Sequence, residues 1–183
     1  MKLLLYCTKA NKYDRLVRDE HYGKPFYLCG AITENFESLN GKIVAECDFE
    51  VEEISRIKSW NSTEDYDWEY ETPTLYYYDL LRESCLTCDE FEEYIEFSGY
   101  AIHIKNLNIF DEPRELYDCL IHPKIEHRYY GCEHLSKAPQ NMMYVELDDI
   151  KYVLISIKPE WLCKILNGEK TIEVRRKVLK EMK

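Results

Sequence analysis

The sequence predicts an α+β domain, a small and mostly antiparallel β-barrel flanked by short helices. Three observations carry this. Six runs have the length and apolar pattern of strands, two or three helical stretches with cap signals lie between them, and the 183 residues are 45% hydrophobic and 32% charged. That balance suits one globular domain spanning residues 1–183.

Taken in order, Lys2 to Cys7 is a short apolar run ended by Thr8-Lys9 and reads as a buried strand. Residues 11 to 40 are polar and aromatic without a clear period, predicting an elaborated loop with a short helix near Tyr13 to Glu20. The pair Asn40-Gly41 opens a strand over Lys42 to Phe49. Trp60 to Glu71 holds five acids and no Lys or Arg, the pattern of a solvated excursion. A helix follows over Thr74 to Arg82, and a second begins at Thr87, where Thr87 and Glu90 have capping-box spacing. Gly99 to Phe110 alternates as a long strand that Asp111-Glu112-Pro113 should end. Met142 to Leu147 and Tyr152 to Ile157 are further strands. Pro159 then starts a helix reaching Leu166, closed by Asn167-Gly168, and Thr171 to Val174 is the last strand.

Net charge is -11, which argues against loose, nonspecific attraction to nucleic acid, since that attraction comes from Lys and Arg neutralising phosphates. The charge is uneven. Residues 151–183 hold nine Lys or Arg against four Asp or Glu, a local +5, so the one basic region lies at the C-terminal end. No apolar run approaches the roughly 20 residues of a membrane span, and Leu3 to Tyr6 is too short for a signal-peptide core, which predicts a cytoplasmic protein without membrane contact. In that compartment the eight cysteines are thiols or metal ligands rather than disulfides.

The C-terminal residues Ile155-Ser156-Ile157-Lys158-Pro159-Glu160-Trp161 and Ile165-Leu166-Asn167-Gly168-Glu169-Lys170-Thr171-Ile172-Glu173-Val174-Arg175 resemble the opening motif of the ASCH family. The resemblance implies a PUA-like β-barrel related to folds that bind modified RNA and bases. Other pieces are similar to the phage and Firmicute versions of that domain. They are Leu5-Tyr6-Cys7-Thr8-Lys9, Gly41 to Glu46, Tyr100-Ala101-Ile102-His103-Ile104 with Asp111-Glu112-Pro113, and Ala138-Pro139-Gln140 through Tyr144-Val145-Glu146. Their order differs from the family's, because the opening piece follows the closing one. Residues 151–183 therefore supply the opening strand-helix-strand motif either by circular permutation or by swapping into a neighbouring copy as a domain-swapped homodimer.

By that resemblance the ligand-binding residues are Thr8, Lys9, Lys158, Trp161, Lys170, Glu173 and Arg175, around a basic cleft for an anionic or carbonyl group. The ligand would be RNA, a nucleotide or a modified nucleoside. A surface ion pair is the plainer reading of Lys170 and Glu173, and in the cleft too Lys170 and Arg175 are expected to be partly exposed, with a cost on truncation of no more than roughly 1 kcal/mol. Some relatives are amidohydrolases acting on acetylated cytidine, with a Thr nucleophile three residues after the Lys, where this chain has Glu173. Whether the chain is an enzyme stays open. Catalytic candidates are Lys170, Glu173 and Glu46, for a nucleoside or RNA hydrolase on the same scaffold, and a protein-interaction module of phage type is a third reading. Cys85-x-x-Cys88 lacks a second pair, whereas Cys119, His122, Cys132 and His134, with His127 as a spare, are candidate ligands for structural zinc; no other cofactor is implied.

Overall fold

The computed structural model describes residues 1–9, 15–30, 38–60, 66–122, 124–125, 128–129 and 131–182. In chain order the elements are β1 (Lys2–Cys7), β2 (Arg15–His21), β3 (Lys24–Gly30), β4 (Lys42–Trp60), β5 (Tyr66–Glu71), α1 (Tyr77–Ser84), α2 (Cys88–Ile95), β6 (Ser98–Glu115), β7 (Leu120–Ile121), β8 (Lys124–Ile125), β9 (Arg128–Tyr129), β10 (Glu133–His134), β11 (Met142–Leu147), β12 (Ile150–Ile157), α3 (Pro159–Leu166) and β13 (Ile172–Arg175). Strands predominate and the named ladders are mostly antiparallel, a mixed α and β architecture. Among the described residues no helix is long and apolar enough to cross a membrane. The chain packs as two compact units, one of Met1–Asp48 with Asn106–Gly168 and the other of Phe49–Lys105 with Glu169–Lys183.

The first unit carries the strand order β10-β7-β11-β12-β1-β4-β6. At its centre β1 pairs with β12 in parallel, from Lys2↔Tyr152 to Cys7↔Ile157, and with β4 in antiparallel. Five consecutive residues of β1, Leu3 to Cys7, are buried, so the strand is covered on both faces and its apolar run is continuous rather than alternating. One face joins Leu4, Tyr6, Ile43, Val145, Leu147, Tyr152 and Leu154 in a single core cluster. β11 and β12 form a hairpin closed at Leu147↔Ile150 by Asp148 and Asp149, both at positive φ, which aspartate tolerates better than most side chains.

Residues 15–30 depart from the expected loop and helix: they are a two-stranded ladder, Arg15↔Gly30 to His21↔Lys24. Tyr22 and Gly23 both take positive φ (53° and 73°), the turn that suits a two-residue hairpin, and Tyr-Gly is a weak sequence cue for it. The hairpin docks through Asn167, which closes α3. Its Oδ1 accepts from the Tyr27 N–H at 2.9 Å and its Nδ2 donates to the Tyr27 carbonyl at 2.8 Å, standing in for a neighbouring strand. Pro113 does not end β6, which runs to Glu115; proline is accommodated in a strand wherever its nitrogen faces no ladder partner.

The second unit pairs β5 with β4 and, across β6, β13 with β6. The stretch read as a solvated excursion is half strand: β5 lies along Ser55 to Trp60, and Tyr70 is only 2% exposed. Its ring meets Phe91 edge-on, 5.2 Å between centroids, within a core of Ile54, Tyr77, Leu80, Ala101, Ile172 and Val174. An acid-rich strand conceals such an anchor because the acids alternate with it along the sequence. α1 begins at Tyr77 rather than Thr74, because the Thr72 hydroxyl holds a turn by accepting from the N–H groups of Thr74 and Leu75 at 3.3 and 3.0 Å. α2 carries the expected capping box, with the Glu90 N–H donating to Thr87 Oγ1 at 3.3 Å and the Thr87 N–H to Glu90 Oε2 at 2.9 Å.

No disulfide joins the eight cysteines, and Cys7, Cys47 and Cys119 are fully buried. Burial pushes the thiols of Cys7 and Cys47 from 9.0 up to about 12 and that of Cys119 up to about 11. In the unfolded chain they ionise near their ordinary value while the folded chain still holds the protons. Stability is therefore complete below pH 9 and is lost as pH rises through the folded values, by about 1.4 kcal/mol per pH unit for each thiol. Urea unfolding measured between pH 8 and 11 should show a shallower decline for Cys47→Ala than for the parent, and parallel declines would contradict this account of the core.

Candidate functional site

The parallel ladder sets the geometry of the first unit's candidate residues. Because Cys7 pairs with Ile157, both strands finish together, and the Thr8 N–H donates to the Ile157 carbonyl at 2.9 Å. Thr8-Lys9 and Lys158 thus leave the sheet side by side. Lys158 is the N-cap of α3, extended at φ -67° and ψ 148°, with Pro159 fixing the first helical turn. Its carbonyl accepts from the N–H groups of Trp161 and Leu162 at 3.1 and 2.9 Å. The Lys158 side chain is 73% exposed, its Nζ 3.8 Å from Glu160 Oε1, and Lys9 is exposed as well. The Trp161 ring is covered by Lys164 Nζ, 4.7 Å from its centroid. One end of a parallel strand pair therefore presents two lysines, a helix N-terminus and an indole.

Glu46 also belongs to the first unit, on β4. Its carboxylate accepts from Lys2 Nζ at 2.8 Å, Tyr152 Oη at 2.9 Å and Asn108 Nδ2 at 3.4 Å. The Lys2 bond first, then Tyr152 and Asn108, hold the Glu46 carboxyl below its ordinary value against the opposing effect of burial. With both oxygens engaged, Glu46 is built to stay ionised and fixed rather than to take up a proton.

In the second unit β13 lies antiparallel to β6, from Ile172↔His103 to Arg175↔Tyr100. Strand alternation gives Ile172 and Val174 to the apolar core and turns Glu173 and Arg175 to the other face. Arg175 Nη2 donates to Glu173 Oε1 at 2.8 Å, and Lys170 Nζ lies 3.5 Å from Glu173 Oε2. Lys170 Nζ also donates to the Ser84 carbonyl at 2.6 Å, at the negative end of α1. Side-chain exposures of 2%, 10% and 12% for Lys170, Glu173 and Arg175 place this trio inside the unit, so Lys170 and Glu173 are not a surface pair. Burial pushes the Lys170 ammonium below its ordinary value, against the pull of Glu173. Nearby, Thr171 Oγ1 donates to Glu83 at 3.2 Å. His103, which contributed to the resemblance but was not singled out as a site residue, lies 3.4 Å from Glu52 and lines a groove of about 540 Å³ with Arg82, Lys105 and Thr171.

The four candidate zinc ligands divide. Cys119 is fully buried in the apolar cluster of the first unit. His134 Nδ1–H donates to the Tyr117 carbonyl at 2.7 Å, and its ring stacks on Tyr117 at 4.2 Å. Cys132 and His122 meet, with Sγ 3.5 Å from Nδ1, while His122 Nε2 turns to Glu146 Oε2 at 3.1 Å. Among the described residues no set of three or more His, Cys, Asp or Glu is gathered for one ion, and His127 lies outside them. Cys85 takes the left-handed C-cap of α1 with Sγ 3.3 Å from the Glu169 carbonyl, whereas Cys88 starts α2, so that pair caps two helices. Glu146 is the residue the sequence reading passed over. Alternation along β11 shows that it leaves the core face, but nothing in the spacing ties it to His122, 24 positions away.

Breaking a buried ion pair by removing one partner costs about 3–5 kcal/mol, against at most about 1 for an exposed pair. Lys170→Met should therefore lower the unfolding free energy in urea by about 3 kcal/mol, while Lys158→Met changes it by less than about 0.5. A loss below about 1 kcal/mol for Lys170→Met would return the pair to the surface class. No family model, no curated protein and no solved structure matches this chain.

Proposed function

We propose that the chain is a binding module for RNA, a nucleotide or a modified nucleoside, of the kind the ASCH resemblance implies, its strands being those of a PUA-like barrel. The observation that carries the reading is the in-register end of β1 and β12, which sets Thr8 and Lys9 beside Lys158 and the start of α3. Exposed ammonium groups next to a helix N-terminus suit a phosphate, and Trp161, in the first turn of the same helix, is the aromatic group the reading assigns to a base. In the second unit the reading assigns Arg175 to an anionic or carbonyl group, with Glu173 orienting both Arg175 and Lys170.

Binding is favoured over hydrolysis by the state of the catalytic candidates. Glu173 is engaged on both oxygens by Lys170 and Arg175, and Glu46 by Lys2 and Tyr152. Thr171, the hydroxyl nearest in sequence to Lys170, donates to Glu83. A general base needs a lone pair aimed at the proton it abstracts, and these carboxylates have theirs committed.

Thermal shift against the four nucleoside monophosphates and an RNA of about 12 nucleotides tests the reading, since a ligand that binds only the folded chain must raise its melting temperature. At least one of these probes should stabilise the parent, with an effect that weakens as salt rises, and Lys9→Ala with Lys158→Ala should remove it. Absence of any shift, or a shift that survives the double substitution, would overturn the proposal.

A further inference from the structure

We propose that Cys132, His122 and Glu146 form a nucleophilic centre that accepts acyl groups from activated esters and thioesters. All three belong to the first unit and are held by its sheet edge. β10 pairs with β7 through Glu133↔Ile121 and His134↔Leu120, so one step further along each strand brings Cys132 opposite His122. β7 in turn pairs with β11 through Leu120↔Glu146, which puts the carboxylate on the far side of the imidazole. The ladder itself therefore brings thiol, ring and acid together.

The hydrogen bonds fix the roles. A carboxylate only accepts, so the 3.1 Å contact between His122 Nε2 and Glu146 Oε2 puts the ring hydrogen on Nε2. Nδ1 is left with its lone pair, and Cys132 Sγ lies beside the ring, 3.5 Å from Nδ1 and 4.0 Å from Nε2, so that the thiol is within reach of that base. Cys132 is exposed, and among the described residues a Cβ built at the adjacent Gly131 would meet nothing within 4 Å. This combination of nucleophile, base and orienting acid is what activated cysteines require.

In the step this permits, the Cys132 proton passes to Nδ1 as sulfur attacks the acyl carbon and the carbonyl electron pair moves to oxygen. Collapse of that adduct expels the alkoxide or thiolate, which leaves with the proton from Nδ1, giving an acyl-cysteine and a neutral His122. Water, deprotonated by Nδ1, then releases the acid and returns the proton to sulfur. Cys132 and His122 act on the reacting atoms; Glu146 is a positioning residue.

The full chain treated with p-nitrophenyl acetate tests this, with nitrophenolate release followed by absorbance and acetylated cysteines located by peptide mass spectrometry. Cys88, the other exposed cysteine, is the internal reference. Cys132 should acquire acetyl at least about tenfold faster than Cys88. His122→Ala should bring Cys132 down to the reference rate. Glu146→Ala should slow it, and Glu146→Gln, which keeps an oxygen to accept from Nε2, should restore most of the rate, a rescue that a merely structural role would not give. The comparison within the parent protein does not depend on any variant folding. Equal acetylation of Cys132 and Cys88, or an unchanged Cys132 rate in His122→Ala, would overturn the proposal.

Discussion

The first unit depends on one ladder, the parallel pairing of β1 with β12. The two strands are separated by more than 140 residues in the chain yet pair without a shift from Lys2↔Tyr152 to Cys7↔Ile157. Parallel strands cannot be joined by a tight turn and need their faces covered, so the chain that leaves β1 has to return to this seam from a distance. β4 covers one edge of β1 and β11 the far edge of β12, and the Leu4–Leu154 face joins residues from all four strands. Because the seam is in register, the two chain segments with basic residues emerge at the same end. The location of the candidate binding groups is thus a consequence of core packing rather than a separate feature.

The second unit shows the opposite economy, with charge taken inside. Two cations around one carboxylate, one of them closing the end of α1, form an arrangement that an apolar trio of similar volume could replace without loss of stability. Retention of such a cluster is ordinarily explained by what it orients. Here it ties the start of β13 to the end of α1 through the Ser84 carbonyl and aligns Arg175, and a close-packed neighbour reinforces the fit. A Cβ on Gly99 would fall 2.9 Å from the Arg175 carbonyl, so a residue without a side chain is needed where β13 docks.

Much of this was legible in the sequence. The strand at Lys2 to Cys7, the capping box at Thr87, the Pro159 helix and the closing Asn167-Gly168 each rest on a local signal, and local signals survive folding. The hairpin over residues 15–30 escaped because its turn uses Tyr22-Gly23 and its docking contact, Asn167, lies 140 positions from Tyr27. β5 escaped because its charges mask Tyr70. At the site level, residue types were legible but not their state. The spacing of Lys170 and Glu173 is the same whether they are exposed or buried, and only the position of Ser84 decides it. In the same way, Cys132 and His122 were grouped by chemistry, but their geometry came from the β7–β10 register and from Glu146.

Native-state hydrogen exchange tests the seam most directly. If β1 and β12 hold the first unit together, the amides of residues 3–8 and 152–157 exchange only through global unfolding, with Thr8 protected as strongly as the strand interior because its N–H is bonded to Ile157. Exchange of either strand at loop rates while β4 stays protected would contradict the account, since the pairing on which the binding groups depend would then be absent.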